Sequence, residues 1–234
     1  MKMKLSLYCV IYLLVMSAVL GITVTGSHVV TTMAENRPVD RQNIIIIDAG
    51  HGGFDGGATS CSGILESEIN LDIALRLNDL MHLLGFETVM IRTTDTAIHT
   101  QGNTIASRKI SDIRERTRIV NDTKGALLLS IHQNTFSDSQ YRGGQVFYGN
   151  DIESRQLAER IQSAFVENLN PGSNRKAKKA DKVYLMEHIQ KPGILIECGF
   201  ISNPTEESLL RSKKYQSQIC CVIATTVSNF LADT

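Results

Sequence analysis

The sequence predicts an α/β fold in layers: a central, twisted, mostly parallel sheet flanked by helices on both faces. Short runs such as Ile44–Ile47, Ala126–His132 and Gly193–Glu197 are apolar at consecutive positions, as strands covered on both faces must be. Between them lie longer segments whose apolar residues return every three or four positions, the spacing of a helix with one buried stripe. The two kinds of segment alternate along the chain, which is the order of βα units.

The elements follow in sequence. Lys2 and Lys4 precede an uncharged stretch, Leu5–Val24, which reads as an export segment. It reaches the roughly 20 residues of a bilayer span and exceeds the about 7–15 of a signal-peptide core, so residues 1–25 are a signal peptide or, as the length favours, an uncleaved anchor. The positive flank leaves the remainder on the outer side. Residues 26–42 are a polar linker, and residues 43–234 form one domain.

Ile44–Ile47 is the first core strand. ESEINLDIALRLNDLMHLLG brings Ile69, Ile73, Leu77, Leu80 and Leu84 to one helix face, with acids in the first turn and Gly85 as a stop. Glu87–Ile91 is a strand. Ala97–Asp112 is polar and aperiodic and reads as a surface loop, followed by a helix over Ile113–Asn121. Ala126–His132 and Gln145–Tyr148 are strands, and Leu157, Ile161, Phe165 and Leu169 mark a helix. Arg175–Lys182 is a basic loop, in which solvated cations are the plain reading and contact with an anionic partner the alternative. Val183–Met186, the strand Gly193–Glu197 and a helix over about Lys213–Leu231 complete the chain.

Bulk composition excludes more than it assigns. The 24 basic and 24 acidic residues cancel and hydrophobic residues make up 42%, so neither disorder nor nucleic-acid binding is indicated. Cys9, Cys61, Cys198, Cys220 and Cys221 are odd in number and read as free, mostly buried thiols rather than a disulfide framework.

The chemistry gathers at strand ends. His51 lies just past one buried run, His132 ends another and Glu197 ends a third, at the sheet edge where open α/β sheets build their sites. Glu66 opens the helix after the glycine loop. A dinucleotide loop is excluded because Asp55 stands where the third glycine belongs, and a Walker loop because Ala58 stands where the lysine must be. Two imidazoles and a carboxylate with a fourth position open suit catalytic zinc. The plainer reading makes His51 a turn residue, Glu66 a favourable acid at a helix start and His132 a satisfied core histidine. Asp48 and Asp55 are candidate acceptors that orient a ligating histidine.

IDAGHGGFDGGA, ESEINLDIALRL, RTRIVN, LLLSIHQNTF, GGQVFY and PGILIECGFISNPTEESLL resemble, in order, the motifs of the zinc-dependent N-acetylmuramoyl-L-alanine amidases of the type 3 family. The resemblance runs from Asn43 to the C-terminus. Compact length and a single export segment look most like the germination-specific spore-cortex amidases.

The resemblance implies zinc held by His51, Glu66 and His132, with Glu197 as the catalytic general base. It implies hydrolysis of the amide between the lactyl group of N-acetylmuramic acid and L-alanine, in spore-cortex peptidoglycan, towards the muramic δ-lactam used in germination. Peptidoglycan is then the partner, with an unidentified accessory protein, no nucleic acid and membrane contact only through the N-terminal segment. The site is exported, in the forming spore envelope. Gln133 and Cys61 depart from many relatives without removing a ligand. Arg116, Gln133 and Asn134 are candidate substrate contacts, Arg116 and Arg118 otherwise being solvated helix cations or partners of core acids. Two alternatives stand beside this: a cysteine hydrolase using Cys198 with His132, and a catalytically silent wall-binding or regulatory module of the same fold.

Overall fold

The computed structural model describes residues 43–233, so the export segment, the linker and Cys9 lie outside the described residues. The strands are β1 (Ile44–Ala49), β2 (Thr88–Met90), β3 (Ala126–Asn134), β4 (Gln145–Tyr148), β5 (Lys178–Lys179) and β6 (Gly193–Phe200), in the spatial order β2-β1-β3-β6-β4-β5. β2, β1, β3 and β6 run parallel, whereas β4 is antiparallel to β6 and carries β5 parallel to itself. The sheet is therefore mixed at one edge and parallel where the strand ends carry His132 and Glu197.

The helices are α1 (Glu66–Leu83), α2 (Ile105–Asp122), α3 (Ile152–Asn168), α4 (Tyr184–His188), α5 (Pro204–Leu210) and α6 (Lys213–Ala232). Pleating sends alternate residues of β1 to opposite faces. Ile45 and Ile47 join Ile73 and Leu77 of α1, Ile161 of α3 and Ile223 of α6 in one core. Ile46 joins Val120 of α2 and Leu185 of α4 in the other. Helices thus cover both faces, and the consecutive isoleucines Ile45–Ile47 are fully buried. Each contributes about 1.5–3 kcal/mol by leaving water.

Local signals explain most boundaries. After α1, Gly85 takes φ +82° and the amides of Gly85 and Phe86 close on the carbonyls of His82 and Met81, so the predicted glycine stop is present. α5 starts at Pro204, with Asn203 accepting from the amides of Thr205 and Glu206.

Two expectations need correction, and one segment gains an assignment. The loop predicted over Ala97–Asp112 ends at Thr104: α2 begins at Ile105 because Thr104 and Ser107 form a reciprocal capping box, which outweighs the segment's weak apolar period. Val183–Met186, which carries no element assignment from the sequence, runs into the short helix α4. The basic loop contains the two-residue strand β5 on the sheet edge, with exposed lysines that discourage further pairing. Among the described residues no helix is long and apolar enough to cross a membrane.

Candidate metal centre and active site

His51 stands two residues past the end of β1 in a left-handed backbone conformation, φ +61°, which a non-glycine residue adopts at a cost of about 1–3 kcal/mol. Two buried arginines hold the chain there. Arg92 donates from Nε to the carbonyl of Ala49 at 2.8 Å and from one Nη to those of Gly50 and Ser67 at 3.0 and 2.9 Å. Arg116 donates to the carbonyls of Ala49 and His51 at 3.0 and 2.7 Å, to Asp112 at 2.6 Å and to Asp48.

The site leaves no room for side chains where the loop passes it. A Cβ on Gly50 would collide with the His132 ring, and one on Gly57 would stand 2.5 Å from Glu66 Oε2 and 2.6 Å from the His51 ring. These glycines are required by close approach.

Glu66 is the first residue of α1, where the helix dipole favours a carboxylate. Its Oε1 accepts from His132 Nδ1 at 3.0 Å and from Asn70 Nδ2 and the Gln133 amide, each at 3.2 Å. Its Oε2 accepts from the Ala58 amide at 3.0 Å and lies 3.3 Å from His51 Nε2. His51 donates from Nδ1 to Asp55 at 2.9 Å, and Asp55 also pairs with Lys109 at 2.7 Å. One ligand atom from each of His51, Glu66 and His132 lies within 4.8 Å of the others. That proximity and donor set suit a single ion, so this cluster can hold a metal.

Charge reinforces the arrangement. Burial opposes ionisation of Glu66, but the hydrogen bonds and charges of His132 and His51 hold its carboxyl far below the usual range. Burial likewise opposes charge on His51, yet Glu66 and then Asp55 push its pKa up to about 9.

His132 and Glu197 are register partners on adjacent strands and so project to the same side. Glu197 is partly exposed, but its Oε2 is enclosed and has no hydrogen-bond partner among the described residues. Burial raises its pKa to about 7, with His132 opposing the rise and Glu66 adding to it. An acceptor poised near neutrality beside a metal-ligand cluster is equipped to move a proton.

Other candidates lie elsewhere. Arg116 is 2% exposed and held by core acids and carbonyls, so its expected substrate contact gives way to a structural role. Gln133 is buried too, its Nε2 donating to Asn70 at 3.2 Å, which aims it into the core instead of at a substrate. Asn134 is half-buried at the end of β3, where its carbonyl accepts from Ile201. Asp55 meets a histidine as expected, whereas Asp48 instead accepts from Ser130 and Arg116. Arg118 is a surface cation paired with Glu115 and Asp122.

The Cys198 thiol is not poised as a nucleophile. Cys198 is packed in the core and burial lifts its pKa well above the ordinary value, so a thiolate there is disfavoured. Among the described cysteines, Cys198 and Cys220 are buried and free, and Cys61 and Cys221 are exposed and free. Asn70 and Arg92 escaped sequence reasoning. The Glu66–Asn70 spacing of four on one helix face was the available signal for the first.

The family model for N-acetylmuramoyl-L-alanine amidase (Amidase_3) matches residues 45–229. The germination-specific N-acetylmuramoyl-L-alanine amidase of Bacillus subtilis (strain 168) is 38% identical over 182 residues, covering 77% of this chain and 76% of that protein. The amidase LytC of the same organism is 32% identical over 177 residues, covering 74% of this chain and 32% of the longer relative. The CwlD amidase from Clostridioides difficile, solved in complex with the GerS lipoprotein, aligns with a TM-score of 0.78 at 33% identity, over 82% of this chain and 100% of that one. Fold, site and these likenesses agree, and the chain belongs to the Amidase_3 family of N-acetylmuramoyl-L-alanine amidases.

Proposed function

We propose that the metal is zinc, ligated by His51, Glu66 and His132, and that Glu197 is the general base for hydrolysis of the lactyl–L-alanine amide of peptidoglycan. The observation that carries this reading is the three-residue cluster with Glu197 in register beside it, its Oε2 enclosed and without a hydrogen-bond partner among the described residues. When bound, zinc supplies a lowered pKa for a coordinated water and polarisation of the carbonyl under attack.

The chain's own residues do the rest. Asp55 accepts from His51 Nδ1, which fixes that ring's tautomer and turns Nε2 towards Glu66. Asn70 and the Gln133 amide hold Glu66 Oε1 in place. Glu197 accepts the proton of the attacking water and returns it to the departing amine of L-alanine. The products are a stem peptide with a free amine and a glycan bearing a lactyl carboxylate.

The cellular reading is a spore-cortex amidase acting outside the cytoplasm. It produces the peptide-free muramic residues from which δ-lactam forms, and it works with an accessory protein. Support comes from the 38% identity to a germination-specific amidase and the 33% identity to an amidase solved with a lipoprotein bound. The apolar segment Leu5–Val24 would export or anchor the chain.

The test combines metal analysis of the purified protein with mass spectrometry of digested cortex and vegetative peptidoglycan. One zinc per chain and zinc-dependent release of peptides beginning at L-alanine are expected, with preference for cortex. Full activity in a metal-stripped protein would overturn the zinc assignment. Equal action on both walls would overturn the cortex assignment.

A further inference from the structure

Beyond Asn134 the chain leaves β3 for a loop, residues 135–143, that carries two aromatic rings into solvent. Phe136 is 51% exposed and Tyr141 46%. Their ring centroids are 4.6 Å apart, and Tyr141 lies 6.0 Å from the buried ring of Phe200, the last residue of β6. Single exposed aromatic residues are ordinary, but a contiguous pair backed by a third ring forms a surface.

That surface is fixed. The Phe136 amide donates to Ser202 Oγ at 3.0 Å, Asn203 Nδ2 to the Ser139 carbonyl at 2.8 Å, and the Gly143 amide to Glu206 Oε1 at 2.8 Å. Glu206 Oε2 accepts from the Phe200 amide at 2.8 Å, so one buried carboxylate ties the loop to the end of β6. The Tyr141 ring is thereby held near the end of β6, the strand that delivers Glu197, and Phe136 follows two residues after β3, the strand that delivers His132. From His132 to Phe136 there is at most about 13 Å of extended chain.

We propose that the Phe136–Tyr141 ledge is a glycan subsite, on which the pyranose rings flanking the cleaved muramic residue stack. The proposal rests on the amidase reading above. A pyranose presents a flat face of C–H groups with hydroxyls at its rim, which suits an aromatic face open to solvent at its edges. A stem peptide would instead call for backbone partners and paired charges. Arg175, 5.0 Å from the Phe200 ring centroid, adds a cation beside the ledge, complementary to the lactyl carboxylate that each cleavage leaves on the strand. The enzyme then grips the polymer as well as the peptide it removes.

The test uses the full-length protein and two readouts. Calorimetry measures binding of peptide-free strands of alternating N-acetylglucosamine and N-acetylmuramic acid. Kinetics compare intact peptidoglycan strands with a single muramoyl-peptide. For Phe136→Ala and Tyr141→Ala, glycan affinity is expected to fall about tenfold, with KM for strands rising about tenfold relative to KM for the muramoyl-peptide. Phe136→Trp should retain both, and Ile152→Ala, an exposed residue on α3, should behave as the parent. Equal losses on the two substrates would assign the ledge to the stem peptide or to the fold and overturn the proposal. Unchanged glycan affinity in both alanine variants would overturn it as well, and parent-only dimers in the ultracentrifuge would then assign the ledge to a second copy. Calorimetry needs no cleavage, so a parent protein that binds strands but cuts neither substrate would sink the amidase reading alone.

Discussion

Glu66, in the first turn of α1, and Glu197, near the end of β6, bring carboxylates to the same two imidazoles, but the protein surrounds them differently. Glu66 has donors on both oxygens and is held ionised. Glu197 has an enclosed oxygen without a hydrogen-bond partner among the described residues and is pushed up to about 7 by burial. A ligand must stay charged and stay still, so hydrogen bonds are an advantage. A base must exchange a proton with its target, so bonds to neighbours would compete. The pair separates by environment, as carboxylates with different roles do.

The most severe way to break this comparison is Glu66→Ala. It removes the central acceptor of both histidines, so metal content and activity are both expected to fall to background, read by metal analysis and peptide release. Glu197→Gln is expected to keep the metal and lower kcat by about 10²–10⁴-fold. Loss of metal from that variant would make Glu197 a ligand and erase the distinction.

The same contrast has a pH signature. Since burial raises the pKa of Glu197, its basic form is lost as pH falls, and kcat/KM should drop about tenfold per unit on the acid side. A bound cation favours the carboxylate, so this limb belongs at or below about 7. The limb should vanish in Glu197→Gln.

Asp48 is a third buried carboxylate and serves as the control, since it is hydrogen-bonded to Arg116 and Ser130 and meets His132 only through charge. Arg116→Ala should destabilise the fold by about 3–5 kcal/mol in a denaturant titration, by stranding that charge. A variant with unchanged stability and a raised KM would restore Arg116 as a substrate contact. The smallest effect expected is that of Asp55→Asn. It alters the partner of His51 Nδ1 and a half-exposed ion pair with Lys109, so metal affinity should weaken by about 10–100-fold while the fold persists.

What could be read from the sequence followed from burial. His51, His132 and Glu197 were legible because a polar group that ends an apolar strand sits where α/β sheets build their sites. Glu66 was legible as the acid that starts a helix beside them. Arg92, Arg116 and Gln133 were not, since nothing in a local window distinguishes a buried cation or amide from a solvated one. The reversed direction of β4 was equally hidden, because strand direction depends on connections made in space. The start of α2 was missed because its capping box uses Ser107 in place of the commoner acid or amide.

The position of β6 bears on how the molecule comes together. It follows the other strands in the chain yet lies between β3 and β4, both made before it. His51, Glu66 and His132 are all present once residue 134 has been synthesised, while Glu197 must wait for a strand that inserts between earlier neighbours. Such pairings of distant segments close slowly. On the proposed roles, a nascent or truncated chain would then hold its three candidate ligands before its candidate base, which is in place only once the last central strand locks in.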